Sequence, residues 1–256
     1  MRSYLLALSF LTCLPVKINY EVTREHMGKT LTYYPLVGLT LGAIIAGVAY
    51  GVDFLHLGLA GDVLTVSTLV VLTAGLHLDG LMDTFDGLLS GRPWEQKLAI
   101  MKDSHVGAMG VIALVVHLLL KVSLVSCLFW PDKYRILVLM PALGRWAMVY
   151  TIAGYPYARA NPGLGSIFDR KTGRQNLPRA TLITAAAGFL LLGWMGLLLF
   201  GIIFIIIHLF ARAVAGALGG QTGDTYGATG EVAELAFLLM AVLLSSIEVK
   251  FGWGNF

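Results

Sequence analysis

The chain has 256 residues and a mean hydropathy of +0.78, and only 13% of its residues are charged, against about 25% in soluble domains. The net charge of +3 is too small to point to nucleic acid, and the two cysteines, Cys13 and Cys127, lie in apolar stretches, which excludes a disulfide framework and a cysteine metal site. Because the apolar residues come in runs of about the 20 needed to cross hydrocarbon, the predicted fold is all-α: a polytopic transmembrane helical bundle in a single domain, 1–256, without internal repeat or low-complexity tract.

The N-terminal run MRSYLLALSFLTCLPV has one basic residue, no small-x-small cleavage site, and ends at Pro15 and Lys17. It reads as a retained interfacial or half-inserted helix rather than a signal peptide. The first span is predicted at Tyr34–Leu55 and the second at Val63–Leu78, followed by a polar segment from Asp79 to His105. The third covers Val106–Trp130, the turn PDKYR follows, and the fourth runs from Ile136 to Gly154. A second polar segment, Tyr155–Pro178, holds Asn161, Pro162 and several arginines. Ala180–Leu218 is long enough for two spans with a tight turn near Gly193–Gly196 or Gly201, and after GGQTGDTYGATG the last span is Val232–Phe251. The count is about seven spans plus the N-terminal helix.

Lysines and arginines set the orientation. With the N-terminus inside, Arg2, Lys17, Arg24, Lys29, Arg92, Lys97, Lys102, Arg159, Arg170, Lys171, Arg174 and Arg179 are cytoplasmic, and only Lys133, Arg135 and Lys250 lie outside. All the long polar loops then face the cytoplasm, where chemistry is expected.

The central feature is HLDGLMDTFDGLLSGR, residues 77–92. Asp79, Asp83 and Asp86 recur at i, i+4 and i+7, which places them on one helix face. Such a row repels itself unless a cation lies between the carboxylates, and charge at the end of an apolar span is costly. A hard divalent cation, Mg²⁺, answers both problems: it takes one or two protein carboxylates and completes its shell with phosphate and water. Gly80 and Gly87 are expected to let a ligand approach the backbone. His77 is a substrate ligand, a proton carrier or a hydrogen-bonded structural residue. In MKDSHVGAMG, Lys102 is a candidate phosphate contact, and Asp103 a further metal ligand or a base. Arg92 is a substrate-binding candidate or a topological signal. Gln221, Thr222 and Asp224 lie in a glycine-rich loop able to turn backbone N–H groups toward an anion, and Glu231 and Glu234 share a face if the helix has begun. Arg145 is placed to reach the acids or a phosphate; Lys121 reads as structural.

Taken together, HLDGLMDTFDG, MKDSHVGAMG and LGGQTGDTYGA, with LSFLTCLPV and YYPLVGLTLGA before them, resemble the cobalamin synthase (adenosylcobinamide-GDP ribazoletransferase) family over essentially the whole chain. The resemblance implies a Mg²⁺-dependent membrane transferase. A hydroxyl of α-ribazole, or of its 5′-phosphate, attacks the pyrophosphate of adenosylcobinamide-GDP; GMP leaves and the corrinoid's nucleotide loop is completed. With that reaction, the residue reading above gives the catalytic part to Asp79, Asp83, Asp86 and Asp103, the metal to the first three, and candidate substrate contacts to Lys102, Arg92, His77, Gln221, Thr222, Asp224 and Arg145. The resemblance also implies corrinoid and nucleoside substrates, residence in the cell (inner or plasma) membrane, and self-association or association with enzymes of the same pathway.

Two rival readings remain. DTFDGLLSGR begins like a CDP-alcohol phosphotransferase signature, but puts Ser90 and Gly91 where that family has Ala, and Asp103 has no aspartate four residues on. A cation-coupled transporter would use intramembrane acids as ion sites; here no repeat is visible and the acids gather at one face.

Overall fold

The computed structural model describes residues 1–129, 131–159 and 164–251, the side chains of 164 and 246–251 excepted. Trp130 at the end of the expected third span, Asn161, Pro162 and Gly163 in the second polar segment, and the Lys250 side chain lie outside the described residues. Among those described, ten α-helices and two short 3₁₀ turns occur, with no strand beyond an isolated bridge between Tyr157 and Gln221.

Helix α1 (Arg2–Leu11) and α2 (Arg24–Thr30) precede α3 (Tyr34–Phe54). The buried face of α1, Leu6, Ala7, Leu8 and Leu11, joins the main core. Helix α3 packs most closely on α8 (Asp132–Gly154). Gly38 and Gly42, one turn apart, make this approach possible: a Cβ on Gly42 would lie 2.7 Å from Val138 Cα, and one on Gly38 would lie 2.6 Å from Ala142 N. Small residues at this spacing let two backbones meet inside a membrane. Helix α8 is the axis of the bundle, with 89% of its most apolar window buried. The corresponding figure is 22% for α7 (Ala108–Ser126) and for α9 (Arg170–Leu218), so those two turn most of their apolar side chains outward, as lipid-facing helices do.

The expected second span is not continuous. Helix α4 (Leu59–Leu72) stops at a break where Ala74 and Gly75 take φ of 49° and 69°. Helix α5 (Leu76–Leu88) departs from it at 88°. Apolarity runs through the break but the helix axis does not, so Val63–Leu78 is not one continuous helix. The N-terminal segment meets the carbonyls released there: Cys13 N donates to Leu72 O at 2.8 Å and Cys13 Sγ to Val71 O at 3.2 Å. Three carboxylates are thus carried on a short helix that stands across the direction of α4.

The 49-residue α9 folds back on itself at Gly193 (φ 60°, ψ −143°). Both arms touch Trp146, which donates from Nε1 to Thr181 Oγ1 at 3.0 Å and meets the Phe200 ring at 4.6 Å between centroids. The turn expected near Gly193–Gly196 is therefore present. Helix α10 (Gly223–Phe251) closes the bundle against α5, α8 and α9. Among the described residues five helices are long and apolar enough to cross a bilayer, six if the bent α4–α5 pair is one broken span. The sequence-based count of about seven is reached only by also counting the arms of α9 separately.

The two ends of the bundle differ. At one, Lys133 pairs with Asp53 at 2.9 Å and Asp62 at 3.0 Å, near the Gly193 turn, which shares a small recess with Asp132 and Arg135. At the other, Gly107, Tyr157, Arg159, Phe168 and Asp224, from three polar segments, gather around α5.

Candidate active site

Helix α5 meets the start of α10 backbone to backbone. A Cβ on Gly80 would lie 2.6 Å from Asp224 O and 3.0 Å from Asp224 Cα. Gly80 therefore serves a close approach of two helices rather than of a ligand. Gly87 likewise faces Met101 and Lys97 O, at 3.0 and 3.1 Å for Met101 Sδ and the carbonyl. Gly80→Val is expected to force the two helices apart, with an overpacking cost of about 1–3 kcal/mol. Thermal unfolding in detergent should show it as a lower Tm with activity lost, and an unchanged Tm would contradict the close approach.

This approach gathers the acids. Asp83 is half-buried and feels the charges of Asp224, Asp79, Asp86 and Arg159. Asp79 and Asp224 line one cavity of about 470 Å³, with His77 and Arg159 also in its wall. Arg159 ties three segments together. Its Nη2 donates to Asp224 Oδ2 at 2.7 Å and to Met101 O at 3.2 Å. The sequence reading saw in Arg159 only a topological charge.

Asp86 takes a different part. Its Oδ2 accepts from Gly107 N at 2.8 Å and its Oδ1 from Gly110 N at 2.7 Å, so it anchors the first turn of α7 to α5. A carboxylate on helix N-terminal N–H groups is a favourable pairing. A Cβ on Gly107 or Gly110 would run into this carboxylate, which is why MKDSHVGAMG ends in glycines at these positions. Asp86→Asn puts an amide N–H₂ against backbone donors, and we expect a stability loss of about 2 kcal/mol. A melt in detergent checks it; a Tm equal to wild type would remove the anchor.

Asp103 is exposed and held within its own loop, accepting from His105 N at 3.0 Å with His105 Nδ1 at 2.6 Å. These contacts hold its carboxyl below the usual carboxylate range. It does not line the cavity that Asp79 and Asp224 share. Lys102 and Arg92 are exposed and also outside the cavity wall.

The glycine-rich loop is mostly structural. Gln221 is buried: its N donates to Pro156 O and its O accepts from Ala158 N, both at 2.8 Å, while Nε2 reaches Ala211 O at 2.8 Å. Thr222 caps α10, with Oγ1 accepting from Thr225 N at 3.3 Å. Of the three residues chosen from this loop, only Asp224 opens on the cavity.

Arg145 does not reach toward the α5 acids. It is fully buried and paired with Glu234, and its Nη2 donates to His77 Nδ1 at 3.3 Å. Glu234 also takes Lys121 at 2.6 Å; Lys121 bonds Glu231 at 2.7 Å, and Glu231 meets His117 Nε2 at 2.8 Å. Helices α5, α7, α8 and α10 are thus cross-linked by a buried network in which two carboxylates meet two cations. The sequence reading saw Glu231 and Glu234 only as acids near a helix start. Their partners are more than 80 residues away in the chain, at separations of 110, 113 and 89 residues.

The donor chemistry fits Mg²⁺. The groups gathered at α5 and the start of α10 are carboxylates, without thiolate. Among the described residues no three His, Cys, Asp or Glu side chains converge to hold an ion unaided, and an ion that takes one or two carboxylates plus phosphate oxygens and water does not need them to.

Comparison with known proteins places this arrangement. The family model for cobalamin-5-phosphate synthase matches residues 3–242. The adenosylcobinamide-GDP ribazoletransferase of Desulforamulus reducens is 47% identical over 244 residues, 95% of this chain and 97% of that one. Those of Desulfitobacterium hafniense and Roseiflexus sp. are 42% and 40% identical over 94% and 95% of this chain and 96% and 90% of their own. No solved structure matches. A match along almost the whole length, through every segment that builds the acidic end of the bundle, means that the chain belongs to the cobalamin-5-phosphate synthase family.

Proposed function

We propose that the protein is an adenosylcobinamide-GDP ribazoletransferase, performing the nucleotide-loop assembly step of cobalamin biosynthesis. The observation that carries this reading is the meeting of Asp79, Asp224 and Arg159 at one cavity, with Asp83 close enough to feel all three charges. In the reaction, a ribose oxygen of α-ribazole or its 5′-phosphate forms a bond to the corrinoid-side phosphorus of the pyrophosphate. The bond from that phosphorus to the bridging oxygen breaks, GMP leaves with the electron pair, and the hydroxyl proton passes to a base.

Asp79 and Asp83 are the residues that would hold Mg²⁺, with Asp224 beside them. The ion, when bound, neutralises pyrophosphate charge and steadies the leaving phosphate. Arg159 supplies a planar cation suited to phosphate oxygens. It is held by Asp224 and Met101 O until a substrate anion competes for it. Asp86 keeps the acid-bearing helix in register with α7, and the buried network does the same between α5 and α10. By the positive-inside rule, this end of the bundle faces the cytoplasm of the cell membrane.

The detergent-purified protein, given adenosylcobinamide-GDP and α-ribazole without any ion gradient, is expected to release GMP and completed corrinoid one for one, followed by chromatography. A folded preparation that makes neither, yet moves a substrate across vesicles, would return the acids to the transporter reading.

A further inference from the structure

The break between α4 and α5 opens a second recess. Where Ala74 and Gly75 take positive φ, the segment after α1 comes alongside and Cys13 bonds the carbonyls of Leu72 and Val71. Thr12 and Cys13 from that segment, with Thr73 and Ala74 from the break, wall a notch of about 360 Å³. It is open to the surface: Cys13, Ala74 and Asp79 are exposed, and Leu76 is 44% exposed. Phe10, Leu76 and Asp79 line both this notch and the 470 Å³ cavity. Asp79 is therefore reached from two recesses whose other walls differ, and both are of a size that small ligands occupy.

The two walls offer different chemistry. Among the described residues the one lysine or arginine in either wall is Arg159, and it belongs to the larger cavity. The side-chain donors of the notch are already used. Thr12 Oγ1 donates to Leu8 O at 2.6 Å, Thr73 Oγ1 to Leu69 O at 3.0 Å, and Cys13 Sγ to Val71 O at 3.2 Å. A phosphate dianion only accepts, so the notch wall gives it neither a cation nor a spare side-chain donor. A hydroxyl can donate, and the Asp79 carboxylate is there to accept it.

We propose that the notch at the α4–α5 break seats the acceptor nucleoside, a ribose hydroxyl toward Asp79, while the pyrophosphate of the donor lies on the Arg159 side. The proposal rests on the transferase reading above and deepens it. The bonds made and broken are those of the displacement already given. In phosphoryl transfer the attacking and leaving oxygens stand roughly in line across the phosphorus, so the acceptor and the departing GMP need separate approaches. The notch and the cavity are two such approaches, and Asp79 is the acid they share. A 5′-phosphate on the acceptor stays at the open mouth of the notch, in water.

Cys13 reports occupancy directly, because it is exposed and in the notch wall. The test is the rate at which N-ethylmaleimide alkylates it in detergent-purified Cys127→Ser, where it is the one remaining cysteine. Saturating α-ribazole is expected to slow alkylation by about fivefold or more, and adenosylcobinamide-GDP by less than about twofold. Cys13→Trp, checked by its melting temperature, fills the notch. It is expected to raise the KM for α-ribazole by about tenfold or more, with that for adenosylcobinamide-GDP within about twofold. Protection by the GDP-corrinoid as strong as that by α-ribazole, or protection by neither, overturns the proposal. So does a folded Cys13→Trp that leaves the α-ribazole KM unchanged or raises both KM values alike. If Cys13→Trp does not fold, the alkylation rates decide alone. Protection by α-ribazole upholds the seat even if the preparation fails to turn over, and turnover without protection sinks the seat while leaving the transferase reading intact.

Discussion

Replacing Asp83 with Asn is expected to lower kcat by about 10²–10³-fold while leaving the melting temperature of the detergent-purified protein near that of wild type. The carboxylate is half-buried among Asp79, Asp86 and Asp224, with Arg159 as the nearby cation. Among the described residues it makes no hydrogen bond to a helix N-terminus, unlike Asp86. In a site that concentrates this much negative charge, removing one charge is, if anything, neutral or favourable to folding. Asp79→Asn should behave similarly. Asp86→Asn should do the reverse and show its effect first in stability, because its oxygens are committed to Gly107 and Gly110. Steady-state rates and melts on the three variants separate these roles, and full activity in both Asp79→Asn and Asp83→Asn would remove the acids from the chemistry.

The second large effect lies in the buried network. Lys121→Met leaves Glu231 and Glu234 without the ammonium they share, at 2.7 and 2.6 Å, with side chains 7% and 0% exposed. Stranding buried carboxylates costs about 3–5 kcal/mol, so the variant should melt far below wild type or fail to accumulate. The loss belongs to the unpaired charge and not to the pair as such. Lys121→Met combined with Glu231→Gln, which leaves Glu234 its pair with Arg145, should therefore recover much of the stability, a non-additivity that a mutant cycle measures. Equal losses in the single and combined variants would show that the ion pairs matter only through packing.

The acidic face was legible in the sequence because three aspartates at i, i+4 and i+7 leave little choice about which way they point. The helical class, the N-terminal helix and the reversal within 180–218 were legible too, since apolar runs and clustered glycines report them directly. What the sequence concealed came from contacts across long separations. Arg159 meets Asp224 65 residues away, and nothing in the spacing of either announces the other. Hydropathy does not register direction, so a run that stays apolar through Ala74 and Gly75 looked like one span although it bends by 88°. Gly80 and Gly87 look like openings for a ligand in the sequence, yet their neighbours are other segments of the chain: Gly80 faces the Asp224 backbone, and Gly87 faces Met101 and Lys97 O. Arg145 was directed at the acids on charge alone, yet Glu234 lies nearer and is buried with it.

The measurement that tests the account most directly is the rate of GMP release as a function of free Mg²⁺ in wild type and in Asp79→Asn and Asp83→Asn. The account predicts no turnover in EDTA, full recovery on adding Mg²⁺, and variants that stay folded but reach only a small fraction of the wild-type rate at any Mg²⁺ concentration. Wild-type turnover that persists in EDTA, or variants as fast as wild type, would contradict a metal-assisted reaction at the carboxylates of α5.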